Sequence, residues 1–160
     1  MQNLRIRVLT SLILISFILI ADYISKQYIE ELDQAITINS FITFYKVYNY
    51  GIAFSIFNNL NNTGLLVLNS IIIIVLIIIL RELFISIRKS MLYITGLSMI
   101  FAGGLANLID RFDNSSVTDF ISLNLGNIYF PAIFNLADLS ISFGAVVIII
   151  YFIKEKDEYS

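Results

Sequence analysis

Four long apolar runs, separated by short charged clusters, restrict what this chain can fold into more than any of its other features. Leu65 to Leu80 is aliphatic except for Asn69 and Ser70, and Met91 to Ile109 carries no charge. Val8 to Ala21 and Leu139 to Ile153 are the other two runs. A bilayer is spanned by roughly 20 apolar residues, and inside it a backbone must satisfy its own hydrogen bonds, so such runs become helices. The sequence therefore predicts a membrane all-α bundle of four transmembrane helices, at about residues 8–28, 65–85, 91–110 and 132–153, forming one integral membrane domain over 1–160. Composition agrees: 58% of the residues are hydrophobic, against about 45–50% in soluble domains.

The first run follows Arg5 and Arg7 and so imitates a secretory signal peptide, but Ala21 is followed by Asp22 and Tyr23 without a small-x-small cleavage pattern. It reads as a retained helix, closed by Glu30, Glu31 and Asp33. Outer loops are expected over 30–62 and 111–131. Residues 36–58 are rich in Ile, Thr, Phe, Tyr and Val with partial alternation, a strand signature, and predict a small extramembrane β-sheet with a turn at Gly51. Phe41, Phe44, Tyr45, Tyr48, Phe54 and Phe57 fit two readings equally, a headgroup-level surface or a miniature core. In the third helix Ala102, Gly103, Gly104 and Ala106 allow close helix approach.

Four spans put both ends of the chain on one side. Arg5, Arg7, Arg81, Arg88, Lys89, Lys154 and Lys156 share that side, and Lys26, Lys46 and Arg111 lie on the other. The excess of cations predicts cytoplasmic termini and outer loops on the far face. A net charge of -2 without a basic stripe gives nucleic acid nothing to bind. With no Cys and no His there is no thiolate nucleophile, imidazole base, disulfide or His/Cys metal site, so acid–base chemistry falls to Asp, Glu, Lys or Tyr.

The stretch from Val117 to Asp138 sets two carboxylates, Asp119 and Asp138, at the mouth of the last apolar run. On the third helix Gly103, Asn107, Asp110 and Arg111 recur at spacings of three and four and form one stripe, as do Asn135, Asp138 and Ser142 at the fourth. Ionisable groups at membrane depth usually mark a site or a pathway. Two carboxylates close together in low dielectric share a proton; one then takes a proton from water while the other polarises a carbonyl and protonates the leaving amine. Plainer roles stand beside this one. Asp138 or Asn135 fits a helix start, Asp110 with Arg111 and Asp22 with Lys26 fit interfacial ion pairs, and Asp119 fits a solvated loop.

These residues carry a resemblance. The chain is similar to lipoprotein signal peptidases, the type II signal peptidase family of bacterial membrane aspartic peptidases. The likeness rests on Asp22 with Ser25 and Lys26, NYGIAF from Asn49 to Phe54, GGLANLIDR from Gly103 to Arg111, VTDF from Val117 to Phe120 and FNLAD from Phe134 to Asp138. It implies that Asp119 and Asp138 are the catalytic pair and that Asn107, Arg111 and Asn135 line the site. By the same likeness Asn49 and Gly51 belong to a substrate cradle, and Asp22 and Lys26 support it. The implied substrate is a diacylglyceryl-modified prolipoprotein cut on the N-terminal side of its lipidated cysteine. Inhibition by globomycin, a bacterial cell-membrane location and the absence of any cofactor or metal also follow from it. A monomer dissolved among membrane lipids is the expected form. Ala106 where the family usually has Gly, two residues between Pro131 and Phe134 instead of one, and Leu139 where a small residue is common depart from the pattern. The rival expectations are an ion-relaying membrane subunit and a scaffold that binds lipoproteins without cutting them.

Overall fold

The computed structural model describes residues 2–51, 62–125 and 128–158. In chain order the elements are helix α1 (Gln2–Glu30), strands β1 (Ile36–Thr37) and β2 (Ile42–Asn49), helices α2 (Asn62–Ile85) and α3 (Met91–Asn114), strands β3 (Val117–Leu125) and β4 (Ile128–Phe134), and helix α4 (Leu136–Glu158). All four helices are long and apolar enough to cross a membrane.

Helix α3 is the hub and packs against the other three. Over half of its most apolar stretch is buried, against 6% to 17% in the others, whose outward faces carry exposed residues such as Ile13, Phe17, Ile77, Phe84 and Phe143. A helix that is apolar all round yet mostly exposed within its own fold is a lipid-facing helix. The small residues of α3 let α4 come close. A Cβ on Gly103 would lie 2.3 Å from the Ala137 carbonyl oxygen, and one on Gly96 would lie 2.9 Å from that of Gly144. Side chains at these points would push the two helices apart.

Local chemistry fixes the ends of α3. Ser90 caps its start by accepting from the Leu92 N–H, and at its finish Ser115, at φ 58°, donates its N–H to the Arg111 carbonyl. At the opposite end of the bundle from the sheet, the Arg7 guanidinium of α1 donates to the Lys89 carbonyl and so holds the α2–α3 turn.

The strands form one antiparallel sheet in the order β1-β2-β3-β4. The expected sheet is there, but half of it comes from the segment read in sequence as the second outer loop. The hairpin β3–β4 replaces most of loop 111–131, and α4 starts at Leu136, not near 132, because β4 runs on to Phe134. Helix α1 starts at Gln2, α3 continues to Asn114, and α4 continues to Glu158. Beneath the sheet, Ile29, Phe120 and Ile121 make a small core with Phe44, Phe134 and Leu139, and Phe44 meets Phe120 edge-on at 5.8 Å. The aromatics therefore divide. Phe44 enters the core, while Phe41, Tyr45 and Tyr48 are exposed; Phe54 and Phe57 lie outside the described residues.

Candidate active site

Asp138 sits in the first turn of α4 and Asn135 just before it. The Asp138 N–H donates to Asn135 Oδ1 at 2.9 Å, and the Asn135 N–H donates back to Asp138 Oδ2 at 3.2 Å. This is a reciprocal capping box, with Asp in the place of the usual Glu or Gln. The helix-start reading of both residues is therefore correct, and it does not compete with a role in a site. The carboxylate's other oxygen, Oδ1, accepts from the Asn107 amide at 2.8 Å, across the α3–α4 contact that Gly103 permits.

Asp119 reaches the same place from β3. It is 3% exposed, so it is no solvated loop residue. Asn135 Nδ2 donates to its Oδ1 at 2.7 Å and Asn49 Nδ2 of β2 to its Oδ2 at 2.9 Å. Asn135 thus binds both carboxylates, one through its side chain and one through its backbone. Asn49 is set in turn by the Gly51 N–H on its Oδ1 at 3.0 Å, and the Gly51 carbonyl accepts from Arg111 Nη2 at 2.6 Å. Ile52, Ala53 and Phe54 of the same motif are outside the described residues. Burial, and then the charge of Asp138, push the Asp119 carboxyl up to about 7. Two such carboxyls close together do not both ionise easily.

A second tier lies under the pair. Lys26 of α1 is 3% exposed and its ammonium meets Asp22 at 2.6 Å, Asp110 at 2.9 Å and Asn107 Oδ1 at 3.2 Å. Asp22 accepts the Ala137 N–H at 2.9 Å and so caps α4 from another helix. The Asp22–Lys26 pair is therefore buried, not interfacial, and it orients the amide that touches Asp138. Removing one partner of a buried ion pair typically costs 3–5 kcal/mol. Asp110 does not pair with Arg111. It accepts Lys26 and the Thr118 N–H at 3.2 Å, while Arg111 turns to Gly51 and to the Asn107 carbonyl at 3.3 Å. Arg111 Nε is buried with no partner among the described residues.

All nine residues singled out in the sequence converge here. A cavity of about 580 Å³ is lined on its polar side by Asn49, Asn107, Arg111, Asp119 and Asp138. Its other walls, including Ile72, Leu139 and Ile141, are apolar and extend into the helices. Thr118 and Glu30 were missed, and Asp110 was read as a stripe member or as an ion-pair partner of Arg111, not as a partner of Lys26 and Thr118. Their partners lie 8 to 88 residues away in sequence, and no local periodicity reports such contacts.

A space with a buried pair of carboxyl groups at its polar end and apolar walls elsewhere suits hydrolysis of a polar bond attached to something greasy. Comparisons with known proteins point the same way. Residues 14–154 match the family model described as Signal peptidase (SPase) II. The chain is 34% identical over 152 residues to the lipoprotein signal peptidase of Anaplasma phagocytophilum, covering 92% of this chain and 94% of that one. It is 34% identical over 123 residues to that of Clostridium tetani, with 77% and 76% covered, and 35% identical over 138 residues to that of Buchnera aphidicola, with 84% and 85% covered. Two solved structures of a bacterial membrane enzyme share the fold. One has a TM-score of 0.76 at 29% identity over 94% of this chain and 92% of that one. The other has a TM-score of 0.71 at 30% identity over 91% and 93%.

Proposed function

From the premise that the chain belongs to the signal peptidase II family and is a multi-pass membrane enzyme of that type, we propose that it is an aspartic endopeptidase acting on diacylglyceryl-modified prolipoproteins. Asp119 and Asp138 are its general acid/base pair. The observation that carries this reading is their joint attachment to Asn135 at the polar end of one cavity.

The ionised member of the pair takes a proton from a water as that water attacks the scissile carbonyl, while the protonated member donates to the carbonyl oxygen. Collapse of the tetrahedral adduct breaks the C–N bond. The proton taken from water passes to the amine of the lipidated cysteine, so the cut falls on the N-terminal side of that residue. The unpartnered Nε of Arg111 is a donor for a carbonyl of the extended substrate. A diacylglyceryl anchor dissolves in the bilayer and holds the peptide at headgroup depth, which supplies positioning without further polar contacts. Both carboxylates come from one chain, so a monomer suffices. The enzyme works in the bacterial cytoplasmic membrane, its site towards the outer leaflet and its ends in the cytoplasm.

The test uses the purified protein in detergent or lipid with a diacylglyceryl-modified prolipoprotein, cleavage being followed by the size shift on a gel. Asp119→Asn and Asp138→Asn, each shown to be folded, should each lower turnover by about 10²- to 10⁴-fold, the range of acid–base catalysis. Globomycin should block the wild type. Cleavage persisting in either folded variant would remove that residue from the pair.

A further inference from the structure

Glu30, the last residue of α1, lies outside the cavity, yet its carboxylate closes on the strand that carries Asp119. Oε1 accepts from the Thr118 hydroxyl at 2.9 Å and Oε2 from the Tyr48 hydroxyl at 2.7 Å. Lys46 adds an ion pair to Oε2 at 3.3 Å and donates to the Glu30 carbonyl at 2.9 Å. Tyr48 and Thr118 are direct cross-strand partners, so one carboxylate bridges a rung of the β2–β3 ladder.

The clasp sits where the ladder is weakest. Pairing shifts between Phe44↔Ile121 and Val47↔Asp119, so Tyr45 and Lys46 together oppose Phe120, the neighbour of Asp119. A bulge of this kind re-aims side chains and leaves the register locally loose. Neighbouring strand residues point to opposite faces, so a slip of one residue would exchange Thr118 and Asp119 between the α1 face and the cavity face. Thr118 is held against such a slip at three polar groups: its N–H by Asp110, its carbonyl by Asn135 Nδ2 at 3.4 Å and its hydroxyl by Glu30. The first two anchors belong to the site. Glu30 reaches in from beyond it. Its ion pair with Lys46 is part-exposed and contributes little, which leaves the two hydroxyl contacts as the effective ones.

Resting on the peptidase reading above, we propose that Glu30 is a positioning residue that acts through Thr118 to hold Asp119 on the cavity face. The experiment is a kinetic cycle on the full-length enzyme with the lipid-modified prolipoprotein. Glu30→Ala and Thr118→Val should each lower kcat by about tenfold with KM nearly unchanged, since small displacements of a reacting group cost rate rather than affinity. The double variant should be no slower than the slower single one, because both remove one contact, and Thr118→Ser should restore the rate. If Glu30→Ala does not fold, Glu30→Gln decides the matter. It keeps the shape with one acceptor and should lose roughly threefold in kcat. Unchanged kcat in the folded variants, effects that multiply in the double, or a change confined to KM would overturn the proposal. Asp119→Asn in the same assay separates the two readings. If it still cleaves, Asp119 is not a member of the pair and the two-aspartate reading has failed; if it is silent while the Glu30 series is normal, only the positioning role has.

Discussion

Asp119 is the residue whose environment has the most to say about conditions. Its carboxyl is raised to about 7 by burial first and by the charge of Asp138 second. Between its ordinary value near 3.8 and about 7, the folded protein binds a proton there that the unfolded chain has released. Wherever the folded state binds more protons, stability falls as pH rises. Stability lost to this group is therefore absent below pH 4, grows through neutrality and is complete above pH 7. Asp119→Asn, which cannot ionise, should melt higher than the wild type at pH 8, and the gap should close towards pH 4. Melting curves at the two pH values check this; an equal offset at both would mean that the group is not buried as a carboxylate. Turnover should fall on the alkaline side of about pH 7, as the pair loses its shared proton. The two aspartates were readable in the sequence because charges are rare at the edge of an apolar run. The choice between cap and site at Asn135 was not, because the same atoms serve both: its amide holds Asp119 while its backbone and Oδ1 close the capping box.

Among the elements, the α3–α4 contact sets the active geometry. Gly103 faces the Ala137 carbonyl, one residue before Asp138, and Gly96 faces Gly144 about two turns nearer the start of α3. A methyl at either place overpacks a contact that has no room, at a cost of about 1–3 kcal/mol. Only at Gly103 does the strain fall on the turn that aims Asp138 at Asn107. Gly103→Ala and Gly96→Ala should both lower the melting temperature, but if Asp138 acts as proposed, Gly103→Ala should also lower kcat by roughly tenfold or more, as misplacement of a reacting group does. Gly96→Ala should leave the kcat of the folded enzyme near that of the wild type. Equal kcat losses would show that the helices move as one body and that no local aim is involved. The sequence announced this contact through its small residues, and the spans through their unbroken apolarity. It was less informative about the hairpin. Ile121, Ser122, Leu123, Asn124 and Leu125 do alternate, but a run this short beside strong motifs reads as a loop until β2 is seen to pair with it. Helix limits moved because a helix continues past the apolar run wherever caps and tertiary contacts support it, as Ser115 does for α3.

For the whole molecule, charge decides which end faces which compartment, and the structure sharpens the count made from sequence. Of the ten Lys and Arg residues, Lys26 and Arg111 are buried among the site's own carboxylates and carbonyls and are not free to interact with the membrane surface. Lys46 alone is left near the sheet, opposed by seven cations at the other end of the bundle. Cationic loops tend to stay in the cytoplasm, so the proposed orientation puts the sheet and the cavity outside, on the side where the proposed substrate would be presented after translocation. The chain contains no cysteine, so a single introduced thiol is an unambiguous reporter. Asp113, exposed beyond the end of the α3 apolar run, and Arg88, exposed in the turn between α2 and α3, mark the two ends. Replacing Arg88 still leaves six cations on its side. In cells whose outer barrier is open, a membrane-impermeant maleimide should label Asp113→Cys at once and Arg88→Cys only after lysis. The opposite pattern would turn the cavity towards the cytoplasm, away from any translocated substrate. Processing of exported lipoproteins would then be untenable for this chain, however well its two aspartates are placed.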